Sequence, residues 1–239
     1  MGESFGIYQI GNDDLIMPYI TSCNIACGFH AGDPVQMMRT LHNAKTNQLR
    51  IGAHPGYEDR AGFGRRFIKM STDELSTSIK YQVSALIGMA KSIGAFVSFV
   101  KPHGALYNAM AVDYDLSEIV AKAIKQLDGD LAVMGMAGSL MKDVTSQLGM
   151  TFISEAFIDR KYTSDGHLLS RSKEGAVIEN VEIATAQFIS IATDQKVVSD
   201  DGSRIPIDAD TLCIHGDNPM AVEILKSISE VRKHGSAFN

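Results

Sequence analysis

NIACGFHAGDP, residues 24–34, holds the end of a strand, a turn and the start of a helix within a single short stretch. Asn24 to Cys27 finish an apolar run of the kind that fills a buried strand. Asp33 is an N-cap residue and Pro34 suits the first helical position, so PVQMMRTLHNAKTNQ opens as a helix. Between the two lies His30, placed at the C-terminal end of a strand. The arrangement recurs in IGAHPGY at His54, VKPHGALYN at His103 and CIHGDNP at His215, so four of the seven histidines occupy short turns rich in Gly and Pro. His42, His167 and His234 lack that setting, and His42 and His234 are predicted to face solvent from helices.

Along the chain, strand-like runs alternate with amphipathic ones. The strand candidates are YITSCNIAC, RIGAH, AFVSFVKPH, LAVMGMA, TFISEAF and TLCIHGD. Ser71–Glu74 reads as a capping box, and Leu75, Ile79, Val83, Leu86 and Ala90 share one face of the helix behind it. Asn218 and Pro219 open a last helix with Val222, Leu225 and Ile228 inward and Gly235 near its end. This alternation predicts an α/β fold of parallel strands joined by helical crossovers, in one domain spanning 1–239. KVVSDDGSRIPID is predicted to insert a small hairpin with its turn at Asp200–Ser203. The polar segment 159–175 is long for a connection and predicts a lid or binding loop. MGESFG reads as the tail of a further strand whose body would precede Met1.

Composition narrows the function. Hydrophobic residues are 45% and charged residues 21%, which suits a globular protein with a substantial core. A net charge of −6 without any dense Lys/Arg run argues against a nucleic-acid surface. No apolar stretch reaches membrane-spanning length, and the N-terminus lacks the regions of a signal peptide. MGESFG meets part of the myristoylation pattern, but Gly-rich starts are common. Cys23, Cys27 and Cys213 form no CxxC pair and read as reduced core residues of a cytoplasmic protein.

The four strand-end histidines are the chemical signal, because loops at that end of parallel strands converge on a site. Carboxylates accompany them: Glu155 in TFISEAF, Asp217 after His215, Asp33 after His30, and Glu3 near the start. Histidine with carboxylate can hold a divalent metal, with His30, His54 and Asp217 as candidates, or share acid–base work. The spacing fits no compact zinc signature such as HExxH, and capping alone accounts for Asp33. Lys101, Arg160 and Arg171 are candidate anion binders, and Asn24 a candidate substrate contact. Arg65 and Arg66 in AGFGRRF could bind an anion or coat a loop. No Walker A sequence, no GxGxxG after a strand and no Gly-x-Ser-x-Gly turn occur.

Taken in order, IGNDDLIMPYITSCNIACGFHAGDP, IGAHPGYEDRAGFGRR, VKPHGALYN, EAFIDRKYTSDGHLLSR and CIHGDNP resemble the LamB/YcsF family from Met1 to about Gly235. The resemblance implies a TIM-like irregular (β/α)7 barrel of the glycoside hydrolase/deacetylase type. Family members begin with a strand reading roughly D-L-N-x-D-x-G-E, of which GES remains here, so the first strand is expected to be truncated. It implies cleavage of the lactam of 5-oxo-L-proline to L-glutamate, coupled to hydrolysis of ATP, with Mg2+, to ADP and phosphate. It also implies partner subunits B and C. Carried onto this sequence, it places His30, His54, Lys101, His103, Glu155, Arg160, His215 and Asp217 in the pocket; the expected catalytic residues are His54, Lys101, His103, Glu155 and His215, and the expected substrate-binding ones His30, Asn24, Arg160, Arg171 and Asp217. In that scheme Lys101 and Arg160 hold a carboxylate or phosphate, and Glu155 or a histidine activates water. Two rivals are a stand-alone metal-dependent amidohydrolase or deacetylase and a non-catalytic substrate-binding subunit.

Overall fold

The strand-turn-helix reading of residues 24–34 is what the chain builds. In the computed structural model, which describes residues 1–234, β1 (Ser22–Ala26) leads through a turn into α2 (Pro34–Thr46). A short helix, α1 (Asp13–Ile16), precedes them. Asp33 caps α2 by accepting from Gln36 N–H at 2.9 Å, and its second oxygen accepts from Gly6 N–H at 3.0 Å. Gly235 and the side chain of His234 lie outside the described residues.

The residues group into two compact units, Met1–Ile153 and those from Ser154 onward. In the first, β2 (Arg50–His54), α3 (Thr72–Ser92), β3 (Val97–Val100), α4 (Gly104–Met110), α5 (Tyr114–Lys125), β4 (Ala132–Met136) and α6 (Met141–Gln147) follow in turn. β1 pairs with β2 in parallel, Ala26 opposite His54. β2 pairs with β3, Ala53 opposite Val100, and β3 with β4, Val100 opposite Val133. Parallel pairing brings the strand C-termini to one edge, and with them the residues that follow.

Helix α3 shows why the layers hold. The capping box forms as predicted, Ser71 Oγ accepting from Glu74 N–H and Glu74 accepting from Ser71 N–H at 2.8 Å. Leu75, Ile79, Val83, Leu86 and Ala90 are all buried and share one core with Ile25, Ile51, Val100 and Val133. Burying each of the larger side chains contributes about 1.5–3 kcal/mol. Phe99, one residue out of phase with Val100, joins a separate cluster with Ala132 and Met134 on the opposite face. Gly52 lies opposite Phe99 because the ring occupies the space a Cβ would need.

β5 (Phe152–Phe157) begins in the first unit and ends in the second. There it pairs in parallel with β8 (Thr211–Cys213), Phe157 opposite Cys213. Between them run α7 (Val181–Asp194) and the predicted hairpin, β6 (Lys196–Val198) against β7 (Arg204–Pro206). α8 (Ala221–His234) starts two residues later than Pro219, because Asn218 Oδ1 accepts from Met220 N–H and forms a turn first. Ile224 joins Leu225 and Ile228 in the buried face, while Val222 is half-buried. The α/β class therefore stands, with six parallel strands among the described residues. Among those residues no helix is long and apolar enough to cross a membrane.

Candidate functional site

Three of the four histidines meet in the first unit. His54 is the last residue of β2, His30 lies in the turn after β1, and His103 follows β3 as the residue before α4. All three are buried, His30 completely. The rings of His30 and His103 stack at 3.7 Å and 8°, and His54 stands edge-on to both. His54 Nδ1 donates to the carbonyl of Lys101 at 2.6 Å, and His103 Nε2 donates to the carbonyl of Phe63 at 2.8 Å. His54 Nε2 and His103 Nδ1 then face each other at 3.0 Å. Glu3 completes the group, its Oε1 3.9 Å from His30 Nε2. One ligand atom from each of Glu3, His30, His54 and His103 lies within 4.8 Å of the others.

Polar side chains fasten the loops around this group. Arg60 donates to the carbonyls of Gly28 and Gly32, clamping the turn that carries His30. Gln82, wholly buried on α3, accepts from Gly56 N–H at 3.0 Å and donates to Gly56 O at 2.9 Å, two residues beyond His54. Asp59 pairs with Arg66 and accepts from Gly62 N–H, so Arg66 serves the loop. Arg65 lies over the Phe63 ring, which packs edge-on against His30 and His103. Gly64 has φ +63°, and a Cβ there would come within 2.7 Å of His30 and 2.9 Å of His103. Only glycine fits a turn so close to the rings. Glu3 arrives because Met1–Glu3 runs beside β1, Met1 O accepting from Ala26 N–H and Glu3 O from Gly32 N–H.

Burial pushes the His54 and His30 imidazoles well below the ordinary histidine range, and the neighbouring histidine charge adds to the effect. Both are therefore neutral at pH 7. Lys101 is buried with its ammonium over the Tyr107 ring. Asn24 Oδ1 is a buried oxygen without a hydrogen-bond partner. Burial pushes the Cys23 and Cys27 thiols up to about 12, which fits inert core residues.

The second unit holds a different arrangement. Asp159, fully buried beyond the end of β5, accepts from His215 main-chain N–H at 3.0 Å and from His215 Nδ1 at 2.9 Å. Asn218 Nδ2 adds a third donor at 3.3 Å, and the Phe157 ring stacks on His215 at 5.3 Å. Burial alone would raise the Asp159 carboxyl, but the His215 charge and these hydrogen bonds outweigh it and hold it at about 2. An ionised carboxylate on Nδ1 makes Nε2 the basic edge of the ring. Glu155 is buried on β5. Arg160 is buried as well, donating to Ala176 O and Leu169 O, because segment 159–175 folds back on itself. Arg171 lies 4.0 Å from Asp217. Asp217 is thus met by Arg171 in the second unit, while in the first unit Glu3 and His103 accompany His30 and His54.

A family model for the LamB/YcsF family matches residues 1–237. The chain is 45% identical over 231 residues to a Pyrococcus horikoshii protein named as the A subunit of 5-oxoprolinase, covering 97% of this chain and 91% of that one. A Mycobacterium marinum protein of the same name is 43% identical over 230 residues, covering 96% and 91%. The crystal structure of a lactam utilization protein from Thermus thermophilus superposes with a TM-score of 0.91 at 35% identity, covering 98% of this chain and 94% of that one.

Proposed function

The chain belongs to the LamB/YcsF family, and we propose that it is the A subunit of an ATP-dependent 5-oxoprolinase. The observation that carries this is its 43–45% identity, over nearly the whole chain, to proteins bearing that name. The proposed reaction opens the lactam of 5-oxo-L-proline to L-glutamate with hydrolysis of ATP to ADP and phosphate, in the cytoplasm, together with subunits B and C.

The coupling has a chemical reason. A five-membered lactam is a stable amide, and its carbonyl is a poor electrophile. Transfer of the γ-phosphoryl group to the amide oxygen releases ADP and activates the ring carbon. Water adds to that carbon, the C–N bond breaks as the nitrogen takes a proton, and a second water hydrolyses the resulting acyl phosphate. The chain has no phosphate loop of its own, so phosphoryl transfer from ATP with Mg2+ is assigned mainly to the partner subunits.

Proton transfer falls to His215, which Asp159 holds with Nε2 as the base; the same carboxylate stabilises the imidazolium that forms. Glu155 is the alternative base in that unit. Arg160, Arg171 and Asp217 are proposed to position the substrate there. In the first unit, Lys101 is proposed to meet an anionic group, Asn24 to contact substrate, and His30, His54 and His103 to act through their shared pocket.

The test is purification with subunits B and C and measurement of glutamate formed from 5-oxoproline with and without ATP. ATP-dependent glutamate release that falls at least about 100-fold in His215→Ala is expected, on the scale of a lost general base. Release by this chain alone without ATP would overturn the reading in favour of a stand-alone amidohydrolase. Full activity in Glu155→Gln would remove Glu155 as the base.

A further inference from the structure

We propose that Glu3, His30, His54 and His103 together bind one divalent transition-metal ion of the zinc class. Two backbone carbonyls set the tautomers. A carbonyl only accepts, so Lys101 O fixes the proton of His54 on Nδ1, and Phe63 O fixes that of His103 on Nε2. The remaining nitrogens, His54 Nε2 and His103 Nδ1, both carry lone pairs and lie 3.0 Å apart. Two lone pairs at that distance repel unless a cation lies between them. Two nitrogens bound to one tetrahedral zinc at about 2.0–2.1 Å lie about 3.3–3.4 Å apart, so metal binding asks for a few tenths of an ångström of movement.

A shared proton would also relieve that pair, but it would leave His30 unexplained. Its ring is completely buried, and neither Nδ1 nor Nε2 has a hydrogen-bond partner in the protein. Burying a polar group without a partner costs about 1–3 kcal/mol, so two such nitrogens on one ring point to a ligand. An ion on Nε2, the nitrogen facing Glu3, would satisfy one of these two nitrogens and relieve the His54–His103 pair as well. Glu3 brings the one negative charge in the group, and its oxygen lies within 4.8 Å of the chosen histidine nitrogens.

The surroundings have the form of a metal site. Ligating histidines ordinarily donate their second N–H to a carbonyl or carboxylate, which sets tautomer and ring orientation, and His54 and His103 both do so. The donors come from the ends of three neighbouring strands and the segment beside β1, a rigid frame. Three imidazoles and one carboxylate suit zinc, cobalt or nickel, whereas magnesium and calcium prefer oxygen ligands.

The experiment uses the full chain, stripped with a chelator, dialysed, and titrated with Zn2+, Co2+ or Mg2+. About one Zn2+ or Co2+ retained per chain by elemental analysis is expected, with visible ligand-field absorption for Co2+ and no retention of Mg2+. Glu3→Gln and His103→Ala are each expected to weaken Co2+ binding by about 10-fold or more. Circular dichroism checks folding, and Glu3→Gln, which changes little volume, keeps the test open if His103→Ala misfolds. No stoichiometric uptake by folded protein would overturn the proposal, as would uptake unchanged in Glu3→Gln and in folded His103→Ala. The readout needs neither ATP nor the partner subunits, so it stands or falls separately from the 5-oxoprolinase reading.

Discussion

Replacing Asp159 by Asn removes one charge from a fully buried position and leaves the shape almost unchanged. The carboxylate accepts from His215 N–H, His215 Nδ1 and Asn218 Nδ2 at 3.0, 2.9 and 3.3 Å. These partners hold its pKa at about 2 against an ordinary 3.8. Nearly two pKa units correspond to about 2 kcal/mol of preference for the ionised form in the folded protein. Because the folded pKa is depressed, this contribution is complete above the ordinary carboxyl pKa and is lost as pH falls towards 2. Asn mimics the protonated carboxyl, so Asp159→Asn should cost about 2 kcal/mol at pH 7 and about 1 kcal/mol at pH 3. The chain has no tryptophan, so urea unfolding is best followed by far-UV circular dichroism at both pH values. A cost at pH 7 that persists undiminished at pH 3 would mean that packing, not charge, sets the role of Asp159. No cost at pH 7 would refute the pairing itself.

Three further outcomes are expected. Gly64→Ala adds a Cβ 2.7 Å from His30 at φ +63°, so unfolding measurements should show a loss of about 1–3 kcal/mol, and a neutral result would contradict the close approach. Gln82→Leu keeps the side chain's bulk but strips both hydrogen bonds from Gly56, and should cost about 2–4 kcal/mol by urea denaturation. With Cys23 and Cys27 pushed up to about 12 by burial, a thiol reagent at pH 8 should label only half-buried Cys213 in native protein and all three cysteines in urea; fast native labelling of either buried thiol would argue against their placement.

Local signals made much of the fold legible. A cap, a proline and an apolar period specify α2 and α3 within one stretch of chain, and Asp33 and Ser71 cap as expected. The positions of His30, His54 and His103 at strand ends followed from the same reading. What escaped it depends on distant partners. Gln82 looks like an ordinary polar helix residue until Gly56, 26 residues away, brings its backbone against it. Asp159 and Arg160 stand in a polar run that suggests solvent, yet both are buried, because His215 returns from 56 residues on and segment 159–175 closes over its own carbonyls. Glu3 carried a positional hint only, being too near Met1 to show any strand pattern. Arg60 gave no signal that its partners would be loop carbonyls, whereas Arg66, read as able to bind an anion or coat a loop, pairs with Asp59 in its own loop.

The four histidines look equivalent in sequence, and the partner on the second ring nitrogen is what separates them. His54 and His103 give that hydrogen to carbonyls, which are neutral and can only orient the ring. A ring held this way, and buried, stays neutral with its lone pair outward, which is the state that ligates a cation. His215 gives its Nδ1 hydrogen to an ionised carboxylate, which stabilises positive charge on the ring, and it is the more exposed ring. That favours a group that takes up and returns a proton. One strand-end position would therefore support two chemistries under the proposed roles, with the partner on the second ring nitrogen making the choice.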